Sequence, residues 1–228
     1  MQDAAQLDHW LGAGSTEDSS SVQAAPASAS GLDERIPAIE AICEEHRAIA
    51  AILSALSRIL EGIESGRLQP DFKLLASLVE YIAEMPDKLH HPKEDRIFSL
   101  LRSKTSEMDA HLEALEAEHR NSVPATSHLD RALISYIQGG TDAFAGFRDV
   151  VRTYIANEWV HLNTEEQHIL PAAQRLFSAQ EWQDINADFA RNGDPWSGRD
   201  NRYADLFKRI AHQAPAPIGV GGAVPRED

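Results

Sequence analysis

A single phrase of metal-binding residue types occurs twice in this chain, in the same order. Glu45-His46-Arg47 precedes His90-x-x-x-Glu94, and Glu118-His119-Arg120 precedes His161-x-x-x-Glu165. A second landmark keeps step: Tyr81-Ile82-Ala83 returns as Tyr154-Ile155-Ala156. The halves are offset by 73 residues through this landmark and by 71 at His-x-x-x-Glu. The difference arises because Met85-Pro86-Asp87 has no full counterpart between Tyr154 and His161. Such a repeat constrains the fold to two similar helical hairpins that pack together and share a pocket.

Helical periodicity supports this organisation. Ile39, Ile42, Ile49, Ile52, Leu53, Leu56, Ile59, Leu60 and Ile63 recur at three- and four-residue steps and predict a helix over about 34–64. Gly66 and Pro70 end it, and Asp71 is a suitable N-cap for a second helix over 71–101. Pro86 and Pro92 fall inside that helix, so a kink or break is expected near 84–91. A third helix is expected from about 105 to 137, kinked at Pro124 and ended by Gly139-Gly140. A fourth spans 141–177, perturbed by Pro171, with short helices near 179–190 and 203–211. No alternating strand pattern with hairpin turns is present. The expected fold is an all-α, antiparallel up-down-up-down four-helix bundle with a short C-terminal helical addition. The expected organisation is a disordered tail (1–33), the bundle (34–191), a turn and short helix (192–214) and a second disordered tail (215–228).

The 228 residues carry a net charge of −15, which argues against nucleic acid and anionic membrane surfaces as partners. No apolar run approaches the roughly 18 residues of a membrane span, and no basic region followed by an apolar run opens the chain. With one cysteine, Cys43, no intramolecular disulfide is available. A cytoplasmic location is expected.

On a helix, residues four apart share a face, so His90 with Glu94 and His161 with Glu165 can point inward together. His46 and His119 come from the facing helices. Four imidazoles with two carboxylates able to bridge suit a pair of iron atoms and leave positions for solvent and a small ligand. The acids that follow, Asp95 and Glu166, are alternative ligands. As the i+4 residues, Glu94 and Glu165 are preferred. Asp95, Glu166 and Glu45 are then offered as carboxylates that orient the imidazoles from behind. His91, beside His90, is expected to face outward or to support from behind. The carboxylate-bundle pattern Glu-x-x-His fits Glu116-x-x-His119 and Glu165-x-x-His168, but both lie in the second half, so His168 is read as a surface or supporting residue. His9, His111, His128 and His212 are read as solvated. Cys43, Trp159 and Trp182 are read as packing residues, and Tyr81 and Tyr154 as core residues with hydrogen-bonded hydroxyls.

The phrases His90-His91-Pro92-Lys93-Glu94-Asp95, Glu45-His46-Arg47, Glu118-His119-Arg120 and His161 through Pro171 resemble the bacterial hemerythrin-like family of HHE cation-binding domains. The resemblance covers residues 36–189. It implies a four-helix bundle with a non-haem di-iron centre ligated by His46, His90, Glu94, His119, His161 and Glu165. It also implies binding of nitric oxide or oxygen as a sensor, buffer or scavenger. The alternative is a di-iron oxidoreductase acting on peroxide, oxygen, nitric oxide or ferrous iron, with an unidentified electron donor. Oxygen-carrying hemerythrins have a second histidine one turn before the one matching His119. Here that position is Leu115, so a five-nitrogen set is not expected. Paired cysteines of the family's iron–sulfur repair proteins are also missing from this sequence.

Overall fold

Helix boundaries follow from local chemistry in the computed structural model, which describes residues 36–192 and 202–214. The expected tails 1–33 and 215–228, His9 and most of the turn after Asn192 lie outside these residues. Helix α1 is Pro37–Glu64, with proline at a first-turn position, where a missing N–H is not needed. Ala38 N–H donates to Asn186 Oδ1 at 2.9 Å, which satisfies another donor left open at the helix start. Gly66, at φ 70°, turns the chain after α1. Asp71 then caps α2 (Phe72–Met85) by accepting from the N–H groups of Lys73 and Leu74.

The expected interruption near 84–91 takes the form of a π turn, Pro86–His90, in which the N–H of His91 bonds the carbonyl of Pro86. Pro86 lacks the N–H that a regular α-turn would use. Helix α3 (His91–Lys104) follows directly. Helix α4 (Asp109–Gly139) runs through Pro124 without interruption. Gly140, at φ 59°, starts a single 3₁₀ turn, Gly140–Ala143. It leads into α5 (Phe144–Thr164), a second π turn (Glu165–Ile169) and α6 (Leu170–Leu176). Two further helices follow, α7 (Ala179–Asn192) and α8 (Arg202–Gln213). Among the described residues there is no strand.

The long helices form a ring of neighbours. Helix α1 touches α2 and α5, and α4 touches the same two. Helix α7 covers α1 and α3, while α8 packs on α2 through Leu206 and Ile210. Each fully buried Leu, Ile or Phe stabilises this arrangement by about 1.5–3 kcal/mol relative to exposure.

Two apolar clusters form the interior, with a polar layer between them. One cluster takes α1 from Ile49 onward, α2, the second half of α4 and most of α5. The other takes Ala38 and Ile42 of α1, Ile97, Phe98 and Leu101 of α3, Leu112 and Leu115 of α4, and Ile169 with α6 and α7. Between these stretches lie Glu45 and His46 on α1, His90 and Glu94 after the first π turn, and His161 and Glu165. All six are buried. His119 of α4 belongs to the same layer, its side chain 6% exposed.

Candidate metal centre

Burying imidazoles and carboxylates together costs several kcal/mol unless each polar atom has a partner. The outward-facing atoms of this layer have theirs. The Nδ1–H of His46 donates to Glu166 at 3.0 Å, and that of His90 to Glu45 at 2.9 Å. The Nδ1–H of His119 donates to Asp95 at 2.8 Å, and that of His161 to Glu118 at 2.7 Å. Carboxylates only accept, so these contacts fix Nδ1 as a protonated nitrogen and turn each Nε2 inward, where it can give its lone pair to a metal that displaces a proton. This is the supporting role expected for Asp95, Glu166 and Glu45. Glu118 is the fourth member, and its place as the repeat partner of Glu45 could have revealed it.

The inward atoms converge without adequate partners. Nε2 of His90, His119 and His161, Oε2 of Glu94 and both oxygens of Glu165 are buried and lack hydrogen bonds. Glu94 Oε1 lies 3.0 Å from Nε2 of both His46 and His90, while its Oε2 lies 3.4 Å from His119 Nε2. Glu165 is arranged likewise, with Oε2 at 3.3 Å from His46 Nε2 and Oε1 at 3.3 Å from His161 Nε2. Each carboxylate therefore offers one oxygen to either histidine set.

Two donor groups result. His46, His90, Glu94 and Glu165 form one, and His91, Glu94, His119 and His161 the other, with the donor atoms of each within 4.8 Å of one another. Donors on opposite sides of a metal with bonds of about 2.1 Å stand about 4.2 Å apart, so a modest contraction would close either cage. The sequence-derived donors His46, His90, Glu94, His119, His161 and Glu165 all meet here.

His91 lies closer to the layer than a residue facing outward. Its Nδ1–H donates to Asp87 at 3.1 Å, and its ring stacks on His119 with centroids 4.1 Å apart. Its ring lies within reach of Glu94, His119 and His161, on a different helix from Leu115, in a group that could hold a metal ion. The cause is the π turn. A turn closed through i→i+5 bonds holds an extra residue, so the inward face slips by one position and admits both His90 and His91. Its sequence signal was the unmatched Met85-Pro86-Asp87.

Electrostatics match this crowding. Burial opposes charge on His46, yet the nearby carboxylates of Glu165, Glu166 and Glu94 carry its pKa well above the ordinary value. Burial likewise opposes charge on His161, and Glu165 and Glu118 overcome it. His119 resists burial through Asp95 and Glu94 and is raised to about 9. Burial works against ionisation of Glu94, but His90, His119 and His46 hold its carboxyl well below the usual range. His91 goes the other way, lowered by burial despite Asp87. Protons thus occupy, between imidazole and carboxylate, the places a metal cation would take.

Residues 38–173 match the family model described as the hemerythrin HHE cation binding domain. The chain belongs to this family. No curated protein and no solved structure matches it. In this hemerythrin-domain protein the rival Glu-x-x-His pattern is not built. Glu116 instead pairs with Arg102 at 3.0 Å, and His168 is exposed.

Other side chains complete the surroundings. His128 and His212 are exposed, but His111 is half-buried and lies against His168, with ring centroids 4.7 Å apart. Tyr81 is buried without a hydrogen-bond partner for its hydroxyl, contrary to expectation. Burial, with Glu45 nearby, pushes its phenol pKa up. Tyr154 and Glu158 line a cavity of about 80 Å³ together with His91, His119 and His161. Burial pushes the Glu158 carboxyl up. Cys43 is half-buried against the α1–α3 cluster, and Trp182 is buried in that cluster.

Proposed function

We propose that this chain is a non-haem di-iron protein that binds a diatomic molecule, nitric oxide or oxygen, as a sensor, buffer or scavenger. The four long helices would run up-down-up-down around the metals. The supporting observation is the bridging posture of Glu94 and Glu165, each offering one oxygen to each histidine set. One iron would be held by His46 and His90, the other by His91, His119 and His161, with both carboxylates shared. Mixed imidazole and carboxylate donors suit iron, which supplies an open coordination position for a diatomic ligand.

The chain's own residues perform three tasks. Glu166, Glu45, Asp95, Glu118 and Asp87 hold the imidazoles in the tautomer that presents Nε2. The two apolar clusters bound the layer on two sides and hold the helices that carry the donors. The cavity beside Tyr154, about 80 Å³, gives a small molecule a place next to His91, His119 and His161. Adding nitric oxide or oxygen to anaerobically reduced, iron-loaded protein should change its optical spectrum stoichiometrically; no change with either gas rejects the reading.

A second reading, a di-iron oxidoreductase, is favoured by Glu158. Burial pushes the pKa of its carboxyl up, and it lines the cavity beside Tyr154 and His161, which places a proton source at the cavity wall. Reduction of oxygen, peroxide or nitric oxide consumes protons. Turnover with an added reductant that falls in a Glu158→Gln variant would select this reading over stoichiometric binding.

A further inference from the structure

Two histidines meet outside the central layer and take no part in it. His111 stands on α4, eight residues before His119, and His168 lies in the second π turn, three residues after Glu165. Their ring centroids are 4.7 Å apart and the ring planes are inclined by 30°. His111 is half-buried, and its Nδ1 is buried without a hydrogen-bond partner. His168 is exposed. The sequence repeat shows that packing does not require this pair. At offsets of 73 and 71 the matching positions of the first half are Ala38 and Ile97, both buried in the α1–α3 apolar cluster. The second half carries imidazoles where the first half carries plain apolar side chains.

The spacing of the rings suits a shared cation. A divalent ion bonded at about 2.1 Å to one nitrogen of each ring lies about 3.2 Å from each ring centre, so bond angles from square to tetrahedral set the two centres about 4.5–5.2 Å apart. The observed separation falls inside that range. His168 is exposed and its outer torsion is soft, so its ring can turn to aim a nitrogen at the ion. A buried ring nitrogen with nothing to bond is costly, and a cation would relieve that cost at His111. Further along the same seam, Glu107 is held by Arg175 at 3.3 Å. The two imidazoles are then the protein donors, and water fills the other positions. Imidazole donors hold copper(II) and zinc more tightly than ferrous iron, so this pair selects against the metal proposed for the central layer.

We propose that His111 and His168 form a second, solvent-facing metal site that takes one borderline divalent cation, copper(II) or zinc. The ion clips α4 to the second π turn, the two elements that carry His119 and Glu165. The site is separate from the central layer and does not rest on the di-iron reading.

The test titrates copper(II) into the iron-loaded full chain and reads bound copper by electron paramagnetic resonance. The native chain should bind one copper more than H168Q does, with splitting from two nitrogens. In H168Q and in H111Q the affinity of that copper should fall by about tenfold or more, as loss of a donor or its support does. Excess zinc should remove the same signal from the native chain. Zinc alone should raise the melting midpoint of the native chain and leave that of H168Q unmoved. His168 is exposed, so H168Q keeps the fold even where H111Q does not, and its iron content should equal the native value. Equal copper binding by the native chain and H168Q overturns the proposal, as does a copper signal indifferent to excess zinc. A chain that holds no iron removes the di-iron reading alone. The difference between native and H168Q still decides this site, because both carry the same central donors.

Discussion

Glu166 accepts the Nδ1–H of His46 at 3.0 Å, joining two residues 120 positions apart in the sequence. Asp95 makes the repeat-related contact to His119 at 2.8 Å. The acid that follows each His-x-x-x-Glu phrase thus supports a histidine of the other hairpin. Each donor group also draws on the other hairpin, with Glu165 completing the first and Glu94 and His91 joining the second. Replacing Glu166 with Ala, or Asp95 with Asn, should weaken metal binding by about 10–100-fold while leaving the helical content unchanged. Chelator competition with circular dichroism checks this; unaltered affinity in both variants would show that the contacts do not orient the ligands.

Glu94 and His91 differ in what they serve. Glu94 faces both histidine sets, whereas His91 belongs to one. Glu94→Ala should therefore abolish retention of both irons. His91→Ala should keep the His46 and His90 iron and lower occupancy of the other by at least about tenfold, as removal of a donor or its support does. Iron content after gel filtration tells these apart. A His91→Ala protein with native iron content and spectrum would remove His91 from the donor set.

Much of this layer is legible in the sequence, and the exceptions have a common cause. Periodicity places the helices to within a few residues because the apolar stripe of each is long. Asp71 is legible as a cap because its carboxylate meets the N–H groups two and three residues later. The phrase spacing brings His46, His90, Glu94, His119, His161 and Glu165 together without knowledge of the fold. His91 is lost because face assignments presume 3.6 residues per turn, and the π turn at Pro86–His90 breaks that presumption just before the site. Tyr81 is lost because a hydroxyl's partner depends on packing between helices, here against Phe207 of α8 at 6.2 Å between rings.

Metal-free protein should show a pH dependence to which His119 contributes together with His46 and His161, all raised above the ordinary value. The folded pKa of His119, about 9, lies above the ordinary 6.5. Its stabilising contribution is therefore complete below about 6.5 and lost as pH rises through 9. Glu94 acts in the opposite sense. Its carboxyl is held below the usual range, so its contribution is present above about 4.5 and lost as pH falls through the depressed value. Thermal melts of metal-free protein should peak between these limits, and melting temperature should decline from pH 7 to 10. A metal-free protein that gains stability over that range contradicts the charge assignment.

Iron should stabilise the fold by linkage, because the donors converge only when the hairpins are packed. Free ferrous iron at 100 times its dissociation constant would contribute about 2.7 kcal/mol per site. Anaerobic melts across an iron titration should show a steadily rising midpoint. The rise should disappear in Glu94→Ala, and a midpoint indifferent to iron would place the donors elsewhere.

The central claim, that two related hairpins turn their donors to one dinuclear centre, is tested most directly by iron analysis with a Mössbauer spectrum of aerobically purified protein grown in iron. The account predicts two irons per chain and a diamagnetic, antiferromagnetically coupled ferric pair. One iron or fewer per chain after iron-replete growth, or two magnetically isolated ions, would contradict it.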